Sequence, residues 1–213
     1  RWDTLLDELT VEDMVKMVTG SGLSTIPSVS YPSMFMKDGP QGNNMRSYVE
    51  DGTSATGFCG EVVRASTFNK DLIRRAGDAM GEDWLRTDTE GAYTPAVNIH
   101  RTPYAGRNFE YYSEDGFLAG ELANEEVIGM QEKGAICYIK HFVMNDQETN
   151  RIGICTFSNE QAIREIYLKA FEKAFVEGKT KGTMGSFNRI GCTWSGAHSG
   201  LMTGIVRGEW GST

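Results

Sequence analysis

The stretch Ala135-Ile136-Cys137-Tyr138-Ile139, continued by Lys140-His141-Phe142-Val143-Met144-Asn145-Asp146-Gln147-Glu148-Thr149-Asn150-Arg151, governs the reading of the whole chain. Its first five residues suit a buried strand, and the next two are a cation and an imidazole. Burying such groups costs several kcal/mol unless they are paired or face a polar cavity. The junction therefore reads as a strand end opening onto a ligand-lining loop. The pattern occurs twice more. Residues 93–99 run into His100-Arg101 and then Gly106-Arg107-Asn108-Phe109-Glu110-Tyr111-Tyr112-Ser113-Glu114-Asp115, and residues 182–187 end at Asn188-Arg189.

Helical patterns separate these runs. Ser158 and Gln161 have the spacing of a capping box, followed by Ile163, Ile166, Tyr167, Ala170, Phe171, Ala174 and Phe175 at steps of three and four, with Gly178 as the stop. Asn69 is placed to cap a second helix with a stripe of Leu72, Ile73, Ala76 and Met80. Thr10 to Asp13 opens a third, carrying Val11, Met14, Val15 and Val18. Strand and helix in alternation predict a parallel α/β sheet, whose strand ends on one face are where ligands bind. A (β/α)8 TIM-type barrel usually takes about 250 residues. With 213 residues, the expectation is one domain, residues 1–213, holding the larger part of such a barrel but not all of it.

Composition narrows the function classes. Acidic residues outnumber basic ones, 29 to 21, and no basic cluster stands out, so nucleic acid is not an expected partner. There is no apolar run of membrane-spanning length, and the start at Arg1-Trp2-Asp3 carries no signal-peptide core. A cytoplasmic location is therefore expected over a secreted one. Cys59, Cys137, Cys155 and Cys192 show no Cys-x-x-Cys spacing and read as reduced, buried thiols. His100, His141 and His198 make no metal-binding pair, and neither a metal nor a cofactor is expected. Trp2, Trp84, Trp194 and Trp210 read as core residues in preference to sugar-stacking platforms.

Four segments together carry a resemblance. Lys37-Asp38-Gly39-Pro40, the 106–115 segment, Lys140-His141-Phe142 with Asn145-x-Gln147-Glu148-x-x-Arg151, and Arg207-Gly208-Glu209-Trp210-Gly211 resemble, in residues, order and spacing, the family 3 glycoside hydrolases of β-glucosidase type. The resemblance implies hydrolysis of β-glucosides by a retaining two-carboxylate mechanism, with release of the non-reducing terminal glucose. It also implies that Asp38, Arg46, Arg107, Lys140, His141, Arg151 and Phe187 line the subsite for that sugar. The chemistry agrees: Asp38 offers two acceptor oxygens, the cations supply donors, His141 can do either, and a sugar is a neutral molecule rich in hydroxyls. Glu110 reads as a buttress for Arg107.

The sequence also departs from the family. A retaining glycosidase needs two carboxylates about 5–5.5 Å apart. The resemblance places the nucleophilic Asp about ten residues after Glu-Trp-Gly, hence after Thr213, and the acid/base Glu in another domain. The expected partners are thus a β-glucoside or oligosaccharide, the remainder of the barrel and a second domain. Phe187 stands where many relatives have Tyr, and Arg46 lies two places later than the Arg that often follows Asp-Gly-Pro. The residues after Phe142 lack the Pro-Gly-His of the hexosaminidase branch. Three alternatives remain open: a β-xyloside substrate, a non-catalytic carbohydrate-binding or degenerate module, and an unrelated phosphate-binding α/β protein. The last is weakened because Gly20-Ser21-Gly22 lacks the dinucleotide-type glycine spacing.

Overall fold

A computed structural model describes residues 2–19, 24–44 and 55–212. In chain order its strands are β1 (Met36–Asp38), β2 (Gly91–Tyr93), β3 (Ile136–Phe142), β4 (Cys155–Thr156), β5 (Gly182–Gly185), β6 (Arg189–Ile190) and β7 (Thr193–Trp194). Strands β1, β2, β3 and β5 lie side by side in that order, all parallel. Parallel neighbours in sequence order, joined by helices, are the repeat of a (β/α) barrel, here an open arc of one. Strands β4, β6 and β7 form a separate small sheet.

The helices are α1 (Trp2–Asp7), α2 (Val11–Thr19), α3 (Glu61–Ala65), α4 (Lys70–Arg86), α5 (Gly116–Glu132), α6 (Glu160–Ala162) and α7 (Lys169–Val176). Helix α4 lies between β1 and β2, α5 between β2 and β3, and α6 with α7 between β3 and β5. Their buried sides supply Ile73, Met80, Trp84, Val127, Met130 and Phe171, which pack with Ala92, Cys137 and Ile139 of the sheet. The crossing of α4 and α5 is close because glycines meet there. A Cβ on Gly77 would lie 2.5 Å from the Glu126 carbonyl oxygen, and one on Gly129 2.5 Å from that of Arg74. No helix among the described residues is long and apolar enough to cross a membrane.

Several local expectations are corrected. Residues 93–99 do not form one continuous strand: the ladder stops at Tyr93, Pro95 has no N–H to give, and pairing resumes only as a bridge between Ala96 and Lys140. The helix after β4 is capped by Asn159, one residue later than the Ser158 expected, with its side chain accepting from Ala162 N–H at 2.8 Å. The following turn is wide, Leu168 N–H bonding to Ile163 C=O at 2.8 Å, and the three-four stripe loses phase there, leaving Ile166 exposed. Asn69 does cap α4, accepting from Leu72 N–H at 3.0 Å, while Leu72 itself faces solvent.

Thr10 and Asp13 form a reciprocal capping box for α2. Yet Val11, Met14, Val15 and Val18 are all exposed. Cys137 alone of the cysteines is buried; Cys59, Cys155 and Cys192 are free and exposed. Trp84 is core, as expected, whereas Trp2 and Trp194 are exposed and Trp210 packs at the core's edge against Phe142 and Phe175.

Candidate functional site

Asp38 is the last residue of β1 and Lys140 lies near the end of β3, so the parallel sheet brings their side chains to one face. Lys140 Nζ donates to Asp38 Oδ1 at 2.7 Å and lies 3.1 Å from Glu110 Oε1. The lysine side chain is 2% exposed and that of Asp38 56%. Lys140 is thus a buried, paired cation and not a solvated one. Gly39 is required beside Asp38, because a Cβ there would lie 2.1 Å from Trp84 Cη2.

From Lys140 the charges alternate. Glu110 accepts from Arg107 Nε at 2.5 Å. Arg107 Nη1 lies 3.6 Å from Glu148 Oε1, and Glu148 Oε2 accepts from Arg151 Nη1 at 2.6 Å. The Arg151 guanidinium stands 4.9 Å over the Phe187 ring. Asp38, Lys140, Glu110, Arg107, Glu148 and Arg151 thus form one chain of three anions and three cations. Each charge has an opposite neighbour, which makes partial burial tolerable. Asp38, Pro40, Gln41, Arg107, Glu110 and Lys140 line a cleft of about 440 Å³, of a size suited to a small molecule.

His141 is held differently. Its peptide N–H donates to Asn98 Oδ1 at 2.8 Å, and Asn98 Nδ2 returns a bond to its carbonyl at 2.9 Å. Burial, reinforced by Arg107, Lys140 and Arg151, pushes the imidazole pKa well below its ordinary value, so the ring is neutral at pH 7. Its Nδ1 lies 3.2 Å from the Tyr111 hydroxyl, which accepts from Asn145 Nδ2 at 2.9 Å. Burial keeps the Tyr111 phenol protonated. In the tautomer whose Nδ1 accepts the hydroxyl proton, Nε2 carries the N–H and is a donor.

Of the seven expected site residues, six fall into one connected group: Asp38, Arg107 and Lys140 line the cleft, Arg151 and Phe187 extend the charge chain, and His141 joins it through Tyr111, Asn145 and Glu148. Arg46 lies outside the described residues. The geometry adds Asn98, Tyr111 and Asn145 as supports. Glu148 stood in the quoted motif, and its i, i+3 spacing to Arg151 was the available signal for its role. Nothing in the sequence pattern pointed to Asn98. Among the described residues, no cluster of three or more His, Cys, Asp or Glu is placed to hold a metal ion.

Comparison with known proteins converges on one family. The model of the glycosyl hydrolase family 3 N-terminal domain matches residues 16–212. The chain is 42% identical to beta-glucosidase A of Butyrivibrio fibrisolvens over 92% of its own length, and 35% identical to an exo-alpha-(1->6)-L-arabinopyranosidase of Bifidobacterium longum over 96%. It superposes on beta-glucosidase 3B from Thermotoga neapolitana, solved in complex with glucose, with a TM-score of 0.90 at 38% identity, covering 98% of this chain and 32% of that one. The chain spans about a quarter of the length of the curated relatives it matches, 24% of the Butyrivibrio protein and 28% of the Bifidobacterium one. With four parallel strands in barrel order, a paired charge chain at their ends and a family match over nearly its whole length, this chain belongs to glycosyl hydrolase family 3 and lies within its N-terminal domain.

Proposed function

We propose that this chain supplies the sugar-holding subsite of a β-glucosidase that releases terminal β-D-glucose from β-glucosides. The observation that carries the reading is the alternating charge chain from Asp38 to Arg151 at the ends of parallel strands. Such a chain is neutral as a whole yet presents directed donors and acceptors, which suits an uncharged polyol better than an anion or a cation. Asp38, half-exposed at the mouth, accepts from sugar hydroxyls with the oxygen that Lys140 does not hold. Lys140, Arg107 and the His141 Nε2–H are the donors. Bonds to the sugar hydroxyls that tighten as the anomeric carbon gains positive charge lower the barrier, whereas those equal in substrate and transition state only bind. The attacking Asp is proposed to follow Thr213 and the acid/base Glu to come from another domain, as in a retaining mechanism.

A pentopyranoside is the second reading, favoured by the 35% identity to a protein named as an arabinopyranosidase. The test is kcat/KM of the full-length protein on aryl β-glucoside, β-xyloside and α-L-arabinopyranoside, for wild type and Asp38→Asn. The β-glucoside is expected to be preferred, with Asp38→Asn lowering kcat/KM by at least about a hundredfold while the protein stays folded. An unchanged kcat/KM in folded Asp38→Asn refutes the subsite assignment.

A further inference from the structure

Below the cleft lies a second charged group that the charge chain does not include. Arg64 of α3, 5% exposed, donates from Nη1 to Glu126 Oε2 at 2.5 Å and from Nη2 to the Pro40 carbonyl at 2.5 Å, with Glu61 Oε1 3.5 Å away. We propose that Arg64 is a positioning residue for Asp38: anchored on Glu126, its guanidinium holds the Pro40 carbonyl and so sets the Asp38-Gly39-Pro40 turn that presents the Asp38 carboxylate to the cleft. The inference rests on the reading of that cleft as a sugar subsite.

The anchor is tied down from several sides. Glu126 of α5 also accepts from the Tyr112 hydroxyl and, at 3.2 Å, from Thr94 Oγ1. Glu61 accepts from Ala96 N–H at 3.1 Å. Arg64 thus connects the turn after β1 to α3, α5 and the segment after β2. The turn has two backbone bonds of its own, Gly42 N–H to Gly39 C=O and Asn44 N–H to Asp38 C=O. Further bonds reach other segments, from Phe58 N–H to the Gln41 carbonyl at 2.9 Å and from Asn43 Nδ2 to Thr87 Oγ1 at 2.9 Å, while Arg64 holds the Pro40 carbonyl itself.

The charge balance supports the same role. One guanidinium between two fully buried carboxylates leaves one anion unbalanced. Burial, with Glu126 adding repulsion, raises the Glu61 carboxyl well above its ordinary range, so Glu61 keeps its proton and the group is neutral. A buried ion pair of this kind contributes little to folding, since well-packed apolar residues of similar volume are often as stable or more so. The fork that aims one donor at the Pro40 carbonyl gives the pair a role beyond folding stability.

The two roles separate in experiment. In the full-length protein, Arg64→Met combined with Glu126→Gln removes both charges, keeps one acceptor oxygen and puts an amide N–H in place of the other, which a hydroxyl can accept, and frees the turn. Phe171→Ala, at a fully buried residue of α7, which lies between β3 and β5 in sequence, is the control that loses stability through a cavity. The measurements are the glucose inhibition constant, KM and kcat on an aryl β-glucoside, and Tm. The double variant is expected to raise the inhibition constant by about tenfold or more, the worth of one lost directed hydrogen bond, while Phe171→Ala leaves it within about twofold despite its lower Tm. Should the double variant not fold, Arg64→Lys, which keeps the charge but lacks the two-pronged fork, is expected to raise it by about threefold or more. An inhibition constant unmoved in the folded variants overturns the inference alone. A wild-type protein that neither binds nor turns over any of the sugars overturns the functional reading, and this inference with it.

Discussion

Lys140 sits between Asp38 and Glu110 with almost no exposed surface, so it serves the fold as well as the cleft. Its loss therefore affects stability as well as the cleft. Lys140→Ala leaves the buried Glu110 with Arg107 only, and about 3 kcal/mol of stability is expected to be lost in chemical denaturation. Asp38→Asn, at a half-exposed carboxylate, is expected to cost under about 1 kcal/mol. Titration gives a second prediction at this scale. Burial, opposed by Arg101, pushes the Asp146 carboxyl from the ordinary 3.8 up to about 7. Between these values the folded chain keeps a proton that the unfolded chain has lost, so stability falls as pH rises, by up to about 1.4 kcal/mol per unit. Glu61 acts with the same sign. His141, depressed below 6.5, acts with the opposite sign, losing stability as pH falls below about 6.5. Asp146→Asn is expected to reduce the decline in stability between pH 5 and 7, measured by urea midpoints; a decline as steep as that of wild type excludes the buried-acid account of Asp146.

At the scale of elements, the turn after β1 depends on Gly39 lying against Trp84. Gly39→Ala places a methyl carbon within 2.1 Å of a fully buried indole, so either the turn or the ring must move. The expected result is a loss of roughly 1–3 kcal/mol together with weakened glucose affinity, read by calorimetry on the full-length protein. A variant with wild-type affinity shows that the turn does not set the Asp38 position. Helix caps were legible in part, because Asn69 and Thr10 have side chains that can accept from an N–H three residues on. Ser158 and Asn159 both qualify, and only the packing of the following helix selects Asn159. The break in the 93–99 strand was visible as Pro95, but the bridge from Ala96 to Lys140 depends on a partner far along the chain.

Across the whole molecule, α1 and α2 present Trp2, Leu6, Val11, Val15 and Val18 to solvent, and among the described residues the sheet arc ends in β1 and β5 with no further strand paired to either. The 213-residue chain expressed alone is therefore expected to bind an apolar dye and to aggregate, measured by dye fluorescence and light scattering. It is also expected to show no turnover of an aryl β-glucoside, since Asp38, Glu110 and Glu148 are each engaged by a cation and none forms the free carboxylate pair that retention requires. Turnover that persists through purification and is lost on mutating a carboxylate within residues 1–213 overturns this. The alternation of apolar runs with polar ends, separated by periods of three and four, was enough for the sequence alone to determine the α/β class and to point to one sheet face for the candidate site, because burial imposes those periods locally. The order of the charge chain, the support of His141 by Asn98 and Tyr111, and the reach of Arg64 to Pro40 were decided only by the tertiary structure. The Arg107–Glu110 and Glu148–Arg151 pairs lie three residues apart and were locally legible. Lys140 to Asp38 and Glu110, His141 to Asn98 and Tyr111, and Arg64 to Pro40 join residues far apart in sequence, which no local periodicity announces.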